Sequence, residues 1–478
     1  FHHRSEQVAH DTLHGLNVHS IHQAVLRVQQ EVWDEVLPEQ PGDFSALFKA
    51  LAGSGAFCKL FSKWYHRAPL LFPCFGFVAQ LFSFGTFADG LVQAKLEGDP
   101  IHAHIARPDN AGARELLQSS HELLSAMTQA ELKQVLDHGT IFVNEASRRW
   151  PCLAAVCREA DAAFGFPSNI NVYATASGRT VSMPLHTDSH DVFVLQVQGE
   201  KRWCVFSPPA LKPGGAHPFL RGRRGDCLCE EELGDPLLDV TLRPGEVLFV
   251  PAGCPHSTST AVAPAVSGGE PSVGLALGIL TMERGLTKWA LLKEMLRELP
   301  GQHYSAVEDF DQSVTDEAFW RSMEPLQIGF LAGGCGDGLR ADASSMSEEA
   351  VELFLRRFKT EATSSERDGY LSAARQATDR CLQAYRDQLA AQAVLYAGVA
   401  AANQPGVVVV TSRQVGLAAG TYVCMRRSGL CGTVLECTTT DVLIRLTSGE
   451  SQWHDVEDCG LYDAVQRQAY KDMNPLKK

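Results

Sequence analysis

No run in the 478 residues approaches the roughly 18 consecutive apolar residues that a membrane span needs. The first twenty residues, which include His2, His3, His10, His14 and His19, hold no signal-peptide core. Both absences point to a soluble, intracellular protein. Basic charge is also scarce: 42 Lys and Arg against 56 Asp and Glu give a net charge of -14. General wrapping of nucleic acid requires a basic face that displaces counterions from phosphates, so no strong nucleic-acid signal is present and a basic protein partner is expected instead. The fourteen cysteines include no repeated CxxC pair of the kind that builds a zinc site. Reduced thiols are expected throughout, including the CxC of Cys227 and Cys229 in an acidic stretch. No internal repeat of fixed period occurs. Because the chain begins at Phe1 rather than at a methionine, a longer leader is expected ahead of it.

What remains is an ordinary core-forming composition, 45% hydrophobic, long enough for two to four folding units. Ile21, Val25, Val28 and Val32 recur at helical spacing, so residues 1–56 read as a helical N-terminal region. Between Asn169 and Leu280 the texture changes to short β-rich runs separated by turn residues: NINVYAT, DVFVLQVQ, KRWCVFSPP, LLDVTLRPGE, VLFVPAG and SVGLALGIL. Residues 169–280 are therefore expected to form an all-β domain. Residues 286–403 read as amphipathic helices, with two or three after Ser345, whose apolar stripes must face the main domain or a second subunit. A homodimer is one expectation for them. The last segment, 404–478, alternates apolar and polar residues around Gly429, Gly432 and Gly449, as in a small SH3-like or Tudor-like barrel, with a divergent winged helix as the other reading.

The chemistry concentrates in PLHTDSHDVFVLQVQGEKRW. On a strand, His186 and Asp188 leave the same face while Thr187 points away, so one imidazole and one carboxylate reach a common point. Parity alone leaves His190 on that face as well. A third ligand is supplied by VLFVPAGCPHST, where His256 follows an apolar strand and a turn, 68 residues beyond Asp188. Two histidines and one carboxylate on one face make the facial triad of non-haem iron(II) oxygenases, which leaves coordination positions open.

The stretches NVYATASGRTVSMPLHTDSHDVFVLQVQGEKRWCVFSPP, LLDVTLRPGEVLFVPAGCPHST and EPSVGLALGI resemble the JmjC/cupin-type ribosomal oxygenases, and KLFSKWYHRAPLLF resembles an aromatic-rich run upstream in that family. The resemblance implies an α+β fold built on a double-stranded β-helix, with N-terminal helices, a helical dimerisation region and a small β-rich C-terminal domain. It implies His186, Asp188 and His256 as ligands of Fe(II), with 2-oxoglutarate as cosubstrate. It also implies Lys201, thirteen residues after Asp188, as the cation for the distal carboxylate of 2-oxoglutarate. A dicarboxylate held at one end by metal needs a cation in the dry barrel at the other. The rival is Arg202, which alternation turns outward. Asn171 and Tyr173 match the family's NVY run lining the pocket, and Ser272 lies on a strand that matches another pocket wall.

The implied activity is hydroxylation of a side chain of a ribosomal protein, in the nucleus, nucleolus or cytoplasm. Demethylation of N-methyl-lysine in a histone tail is the alternative within the same chemistry, and a non-catalytic cupin scaffold is the alternative outside it. The chain departs from the better-known eukaryotic members at Met183-Pro184-Leu185 and at Cys254-Pro255-His256, and it carries one extra residue between Tyr173 and His186.

Overall fold

The computed structural model describes residues 42–52, 68–72, 74–97, 103–108, 114–117, 127–137, 139–207, 221–222, 228, 230–234, 236–261, 270–281, 286–287, 348, 351–352, 355, 362–401, 422–425, 431–437, 441–446, 451–455 and 459–460. The expected helix at 21–37, the amphipathic helix after Leu286 and the Cys227/Cys229 pair lie outside these residues.

In chain order the elements are α1 (Phe44–Ala52), β1 (Leu70–Phe72), α2 (Gly76–Ala79), α3 (Phe84–Glu97), β2 (Ala103–Pro108), β3 (Arg114–Leu117), α4 (Gln129–Leu136) and β4 (Thr140–Val143). Next come α5 (Pro151–Phe164), β5 (Ser168–Thr175), β6 (Met183–His186), β7 (Asp191–Gln198), β8 (Lys201–Phe206) and β9 (Pro236–Leu242). They continue with β10 (Val247–Val250), β11 (His256–Ser259), β12 (Ser272–Ile279) and α6 (Ser364–Ala401). All six β-rich runs of the sequence are strands. The short β6 and β11 join them, too brief and too polar to stand out by alternation.

Two antiparallel sheets face each other. The larger has the order β1-β10-β7-β12-β5-β4-β2-β3 and the smaller β6-β11-β8-β9. The interleaving of β5 to β12 between the two sheets is the double-stranded β-helix of a JmjC/cupin fold. Side-chain parity explains why β7 reads as one continuous apolar run rather than an alternation. Val192 and Val194 point between the sheets, into a core with Val205, Leu238, Leu242 and Leu248. Phe193, Leu195 and Val197 point the other way, into a larger core roofed by helices. Strand β12 divides likewise, with Val273, Leu275, Leu277 and Ile279 in the helical core.

The helical roof begins with α5, which starts at Pro151 and ends where Gly165 adopts a left-handed φ of 71°. Its residues Leu153, Val156, Cys157, Ala160 and Phe164 recur at helical spacing and are buried. Phe48 of α1 packs on Phe164 and Phe193, with ring centroids 5.2 and 6.3 Å apart. After Ser345 the described residues 348, 351, 352 and 355 are helical, and residues 364–401 form one uninterrupted helix of 38 residues. It contains no proline, and its single glycines at 369 and 398 lie near its ends, so nothing breaks it. Ala374, Ala377, Leu382 and Tyr396 join the helical core of the catalytic domain. Among the described residues no helix is long and apolar enough to cross a membrane.

Beyond residue 421 lies a separate antiparallel sheet of β13 (Tyr422–Met425), β14 (Cys431–Cys437), β15 (Asp441–Leu446), β16 (Ser451–Asp455) and β17 (Cys459–Gly460). Its order is β16-β15-β14-β13-β17, a four-strand meander whose fifth strand returns to pair with the first.

Candidate metal and cosubstrate site

The register of the small sheet sets His256 directly opposite His186, the first residue of β11 against the last of β6. Their rings lie 4.3 Å apart between centroids. Asp188 is not on the strand. β6 stops at His186, and the carboxylate is carried by the irregular link to β7 rather than by strand alternation. Its oxygens lie 3.9 Å from His186 Nε2 and 3.4 Å from His256 Nε2. One ligand atom from each of the three residues falls within 4.8 Å of the other two.

The link and the turn before His256 are fastened together. The backbone N–H of Gly253 donates to the carbonyl of Asp188 at 2.8 Å. That of Ala252 donates to Oδ1 of the fully buried Asp191 at 2.9 Å. Asp191 thus orients the turn that delivers His256. No spacing rule identifies it; its signal is a buried carboxylate beside backbone N–H groups, which sequence does not display.

The tautomers follow from the hydrogen bonds. Nδ1 of His186 faces the carbonyl of Pro184 at 2.7 Å, and Nδ1 of His256 faces that of Cys254 at 3.0 Å. A carbonyl only accepts, so each Nδ1 bears the hydrogen and each Nε2 is left with its lone pair toward Asp188. Two neutral imidazole Nε2 atoms and one carboxylate on the same side of a small space form a donor set that fits a divalent first-row metal with open positions.

The cavity beside this set is lined on one side by Val192, Val194, Gly274 and Ala276 of the large sheet, and on the other by Met183, Trp203 and Thr258. Lys201 and Tyr173 complete it. Lys201 is 3% exposed, and among the described residues no carboxylate or other hydrogen-bond acceptor meets its ammonium. The ammonium sits 5.7 Å above the ring of Tyr173, which itself stacks on Phe142. Burial pushes Lys201 down to about 8. A buried cation in a cavity without its anion fits a ligand carboxylate. Arg202, one residue on, turns outward and pairs with Asp239, Nε to Oδ1 at 2.7 Å.

Two expected neighbours are elsewhere. Asn171 does not line the cavity; its side-chain oxygen accepts the backbone N–H of Glu145, a residue in the left-handed region at φ 52°. Ser272 does not line it either, being buried at the far end of β12 with its hydroxyl against Gln196 Nε2 at 3.0 Å. His190 is displaced from the metal ligands and packs over Gly278. Conversely, Trp203 was legible and overlooked: two residues after Lys201 on β8 it shares the inward face, and its ring stacks on His256 with centroids 5.5 Å apart.

Residues 149–275 match the JmjC domain family. The "Bifunctional lysine-specific demethylase and histidyl-hydroxylase NO66" of Drosophila persimilis is 39% identical over 90 residues, 19% of this chain and 12% of that protein. "Ribosomal oxygenase 2" of Rattus norvegicus is 34% identical over 99 residues, 20% of this chain and 19% of that protein. The chain thus spans less than a fifth of the length of these two curated relatives. Among solved structures, the X-ray structure of Escherichia coli YcfD aligns with 87% of this chain and 94% of its own at 14% identity, with a TM-score of 0.35. Residues 149–275, which include His186, Asp188, Lys201 and His256, are thus similar to the JmjC domain family, and the chain is similar over part of its length to ribosomal oxygenase 2.

Proposed function

We propose that this protein is an Fe(II)- and 2-oxoglutarate-dependent oxygenase that hydroxylates a side chain of a protein substrate. One observation carries the reading: the buried ammonium of Lys201, with no anionic partner among the described residues, opens into the same cavity as the Nε2 atoms of His186 and His256 and the carboxylate of Asp188. When bound, Fe(II) and 2-oxoglutarate supply the activation of dioxygen that places one oxygen atom in a C–H bond, with 2-oxoglutarate oxidised to succinate and carbon dioxide.

The chain's own residues do the rest. His186 and His256 present neutral nitrogens held by the Pro184 and Cys254 carbonyls, and Asp188 contributes the negative charge that favours a divalent cation. Lys201 takes the distal carboxylate and so fixes which end of the dicarboxylate faces the metal. Val192, Val194 and Trp203 keep the space dry, which strengthens both electrostatic contacts. Geometry then selects the reacting carbon.

The substrate is read as a basic protein, a ribosomal protein in the first instance, from the resemblance to ribosomal oxygenases and from the net charge of -14. Demethylation of N-methyl-lysine is the second reading, favoured by the double name of the NO66 relatives. We read 1–56 as an N-terminal region, 57–285 as the catalytic domain, 286–403 as a helical region available for dimerisation, and 404–478 as an SH3-like or Tudor-like module. The strand order of the C-terminal sheet supports the last, and Val394, 65% exposed on α6, supports an open helix face.

The test is incubation of the purified chain with Fe(II), 2-oxoglutarate and ribosomal proteins, followed by mass spectrometry and succinate measurement. Succinate formation with a mass gain of one oxygen atom on a ribosomal peptide is expected. Formaldehyde release from a methylated peptide selects demethylation. No oxygen consumption and no succinate leaves a non-catalytic scaffold.

A further inference from the structure

The link that carries Asp188 is irregular backbone, and irregular backbone holds a ligand in place only if something else holds the backbone. On one side Ala252 and Gly253 do so, as described. On the other side stand two residues from the long segment between β8 and β9. The backbone N–H of Thr187 donates to the carbonyl of Arg221 at 3.1 Å. The backbone N–H of Arg221 donates in return to Oγ1 of Thr187 at 2.7 Å. Thr187 is fully buried, and this reciprocal pair gives both its backbone N–H and its hydroxyl a hydrogen-bond partner away from water.

Gly222 comes next, at φ +70°. A Cβ there would collide with the carbonyl oxygen of Leu185 and lie 2.9 Å from Cα of His186. These are backbone atoms of the ligand-bearing segment and have no rotamer by which to move aside. The side chain of Arg221 anchors the pair, donating from Nη2 to both oxygens of Glu232 at 2.9 and 3.1 Å. With both side chains mostly buried, this ion pair is not the solvent-screened kind.

We propose that Arg221 and Gly222 form a strap that positions His186 and Asp188, setting the metal affinity and coordination geometry of the site without touching the metal. The inference rests on reading His186, Asp188 and His256 as the metal ligands. It assigns Arg221, Gly222 and Thr187 as positioning residues: Gly222 because only its missing side chain lets the strap lie against His186, and Thr187 because its hydroxyl ties the strap to the link.

Co(II) titration under nitrogen, followed by visible absorption and calorimetry, tests it on the full chain. The wild type, Thr187→Val, Thr187→Ser, Gly222→Ala and, as reference, His256→Ala are compared at a temperature where circular dichroism shows each folded. Thr187→Val keeps the shape and loses the hydroxyl, and Thr187→Ser keeps the hydroxyl. The expected result is Co(II) affinity weakened about 10- to 100-fold in Thr187→Val and Gly222→Ala with an altered ligand-field spectrum, and near wild-type values for Thr187→Ser. A Thr187→Val protein that binds Co(II) within twofold of wild type with an unchanged spectrum overturns the strap, whether or not Gly222→Ala folds. Wild-type protein that fails to bind Co(II), or binds it as well after His256→Ala, overturns the ligand assignment itself.

Discussion

His186 and His256 are direct cross-strand partners, the last residue of one four-residue strand against the first of another, with ring centroids 4.3 Å apart. The closeness comes from the register of β6 against β11, and both rings are turned by backbone carbonyls so that Nε2 faces Asp188. Removal of any one of the three residues leaves two donors. His186→Ala, Asp188→Ala and His256→Ala should each weaken Fe(II) or Co(II) binding by more than about 100-fold, beyond what outer-shell changes usually cost. Calorimetry of metal binding and succinate formation check this, and full succinate turnover in any of the three variants would sink the site.

Lys201 makes the site sensitive to pH in a direction that can be worked out. Burial lowers it from 10.5 to about 8. Below about pH 8 both the folded and the unfolded chain hold the proton, and the folded chain bears the full cost of the buried charge. Between about 8 and 10.5 the unfolded chain binds more protons, so the ligand-free protein gains stability as pH rises through that window. Binding of a dicarboxylate runs the opposite way, because it needs the ammonium. 2-Oxoglutarate affinity should be flat below about pH 8 and fall about tenfold per unit above it, and Lys201→Met should abolish that dependence along with most of the affinity. Calorimetric titrations from pH 6.5 to 9.5 measure both.

Asp191 tests whether the turn before His256 is held by its carboxylate. Asp191→Ala leaves the buried N–H of Ala252 without its acceptor, a loss of about 1–3 kcal/mol in stability. Asp191→Asn retains an oxygen at the same place and should cost less than half as much. Urea denaturation of the two variants, with Co(II) affinity read alongside, gives the comparison; equal stability losses would mean that the charge, and not the hydrogen bond, is what the turn requires.

The sheet was legible because its strands obey period two or are apolar on both faces, as NINVYAT and DVFVLQVQ are. Alternation set Arg202 on the face opposite Lys201, and the family resemblance marked Lys201 as the inward one of the two. Legibility ended where regular backbone ends. Asp188 reaches the ligand cluster from a link and not from a strand, and the residues that hold this link, Gly253, Arg221 and Gly222, come from distant parts of the chain. Asn171 and Ser272 share strands with cavity residues, yet their side chains are engaged by Glu145 and Gln196. Which of several residues on one strand borders a cavity depends on tertiary partners that no local pattern encodes.

The same limit applies to α6, whose helical period was visible but whose docking was not, and the docking rests on a buried polar cluster. Tyr396 donates its hydroxyl hydrogen to the carbonyl of Ser168 at 2.6 Å, the first residue of the strand that carries Tyr173. Gln392 Nε2 donates to that carbonyl and to Oδ2 of Asp161, both at 2.9 Å, and the hydroxyl of Ser168 donates to Oδ1 of the same carboxylate. Tyr396→Phe leaves the Ser168 carbonyl still paired with Gln392, so its cost should fall near the low end for a buried hydrogen bond, about 1 kcal/mol. Gln392→Leu takes a donor from a buried carboxylate and should cost more, about 2–3 kcal/mol. Because both side chains meet at one carbonyl, the double variant should lose more than the sum of the two, by at least about 0.5 kcal/mol. Strict additivity in urea denaturation would show that the two contacts act separately, and that the helix is held to the catalytic domain chiefly by the apolar packing of Ala374, Ala377 and Leu382.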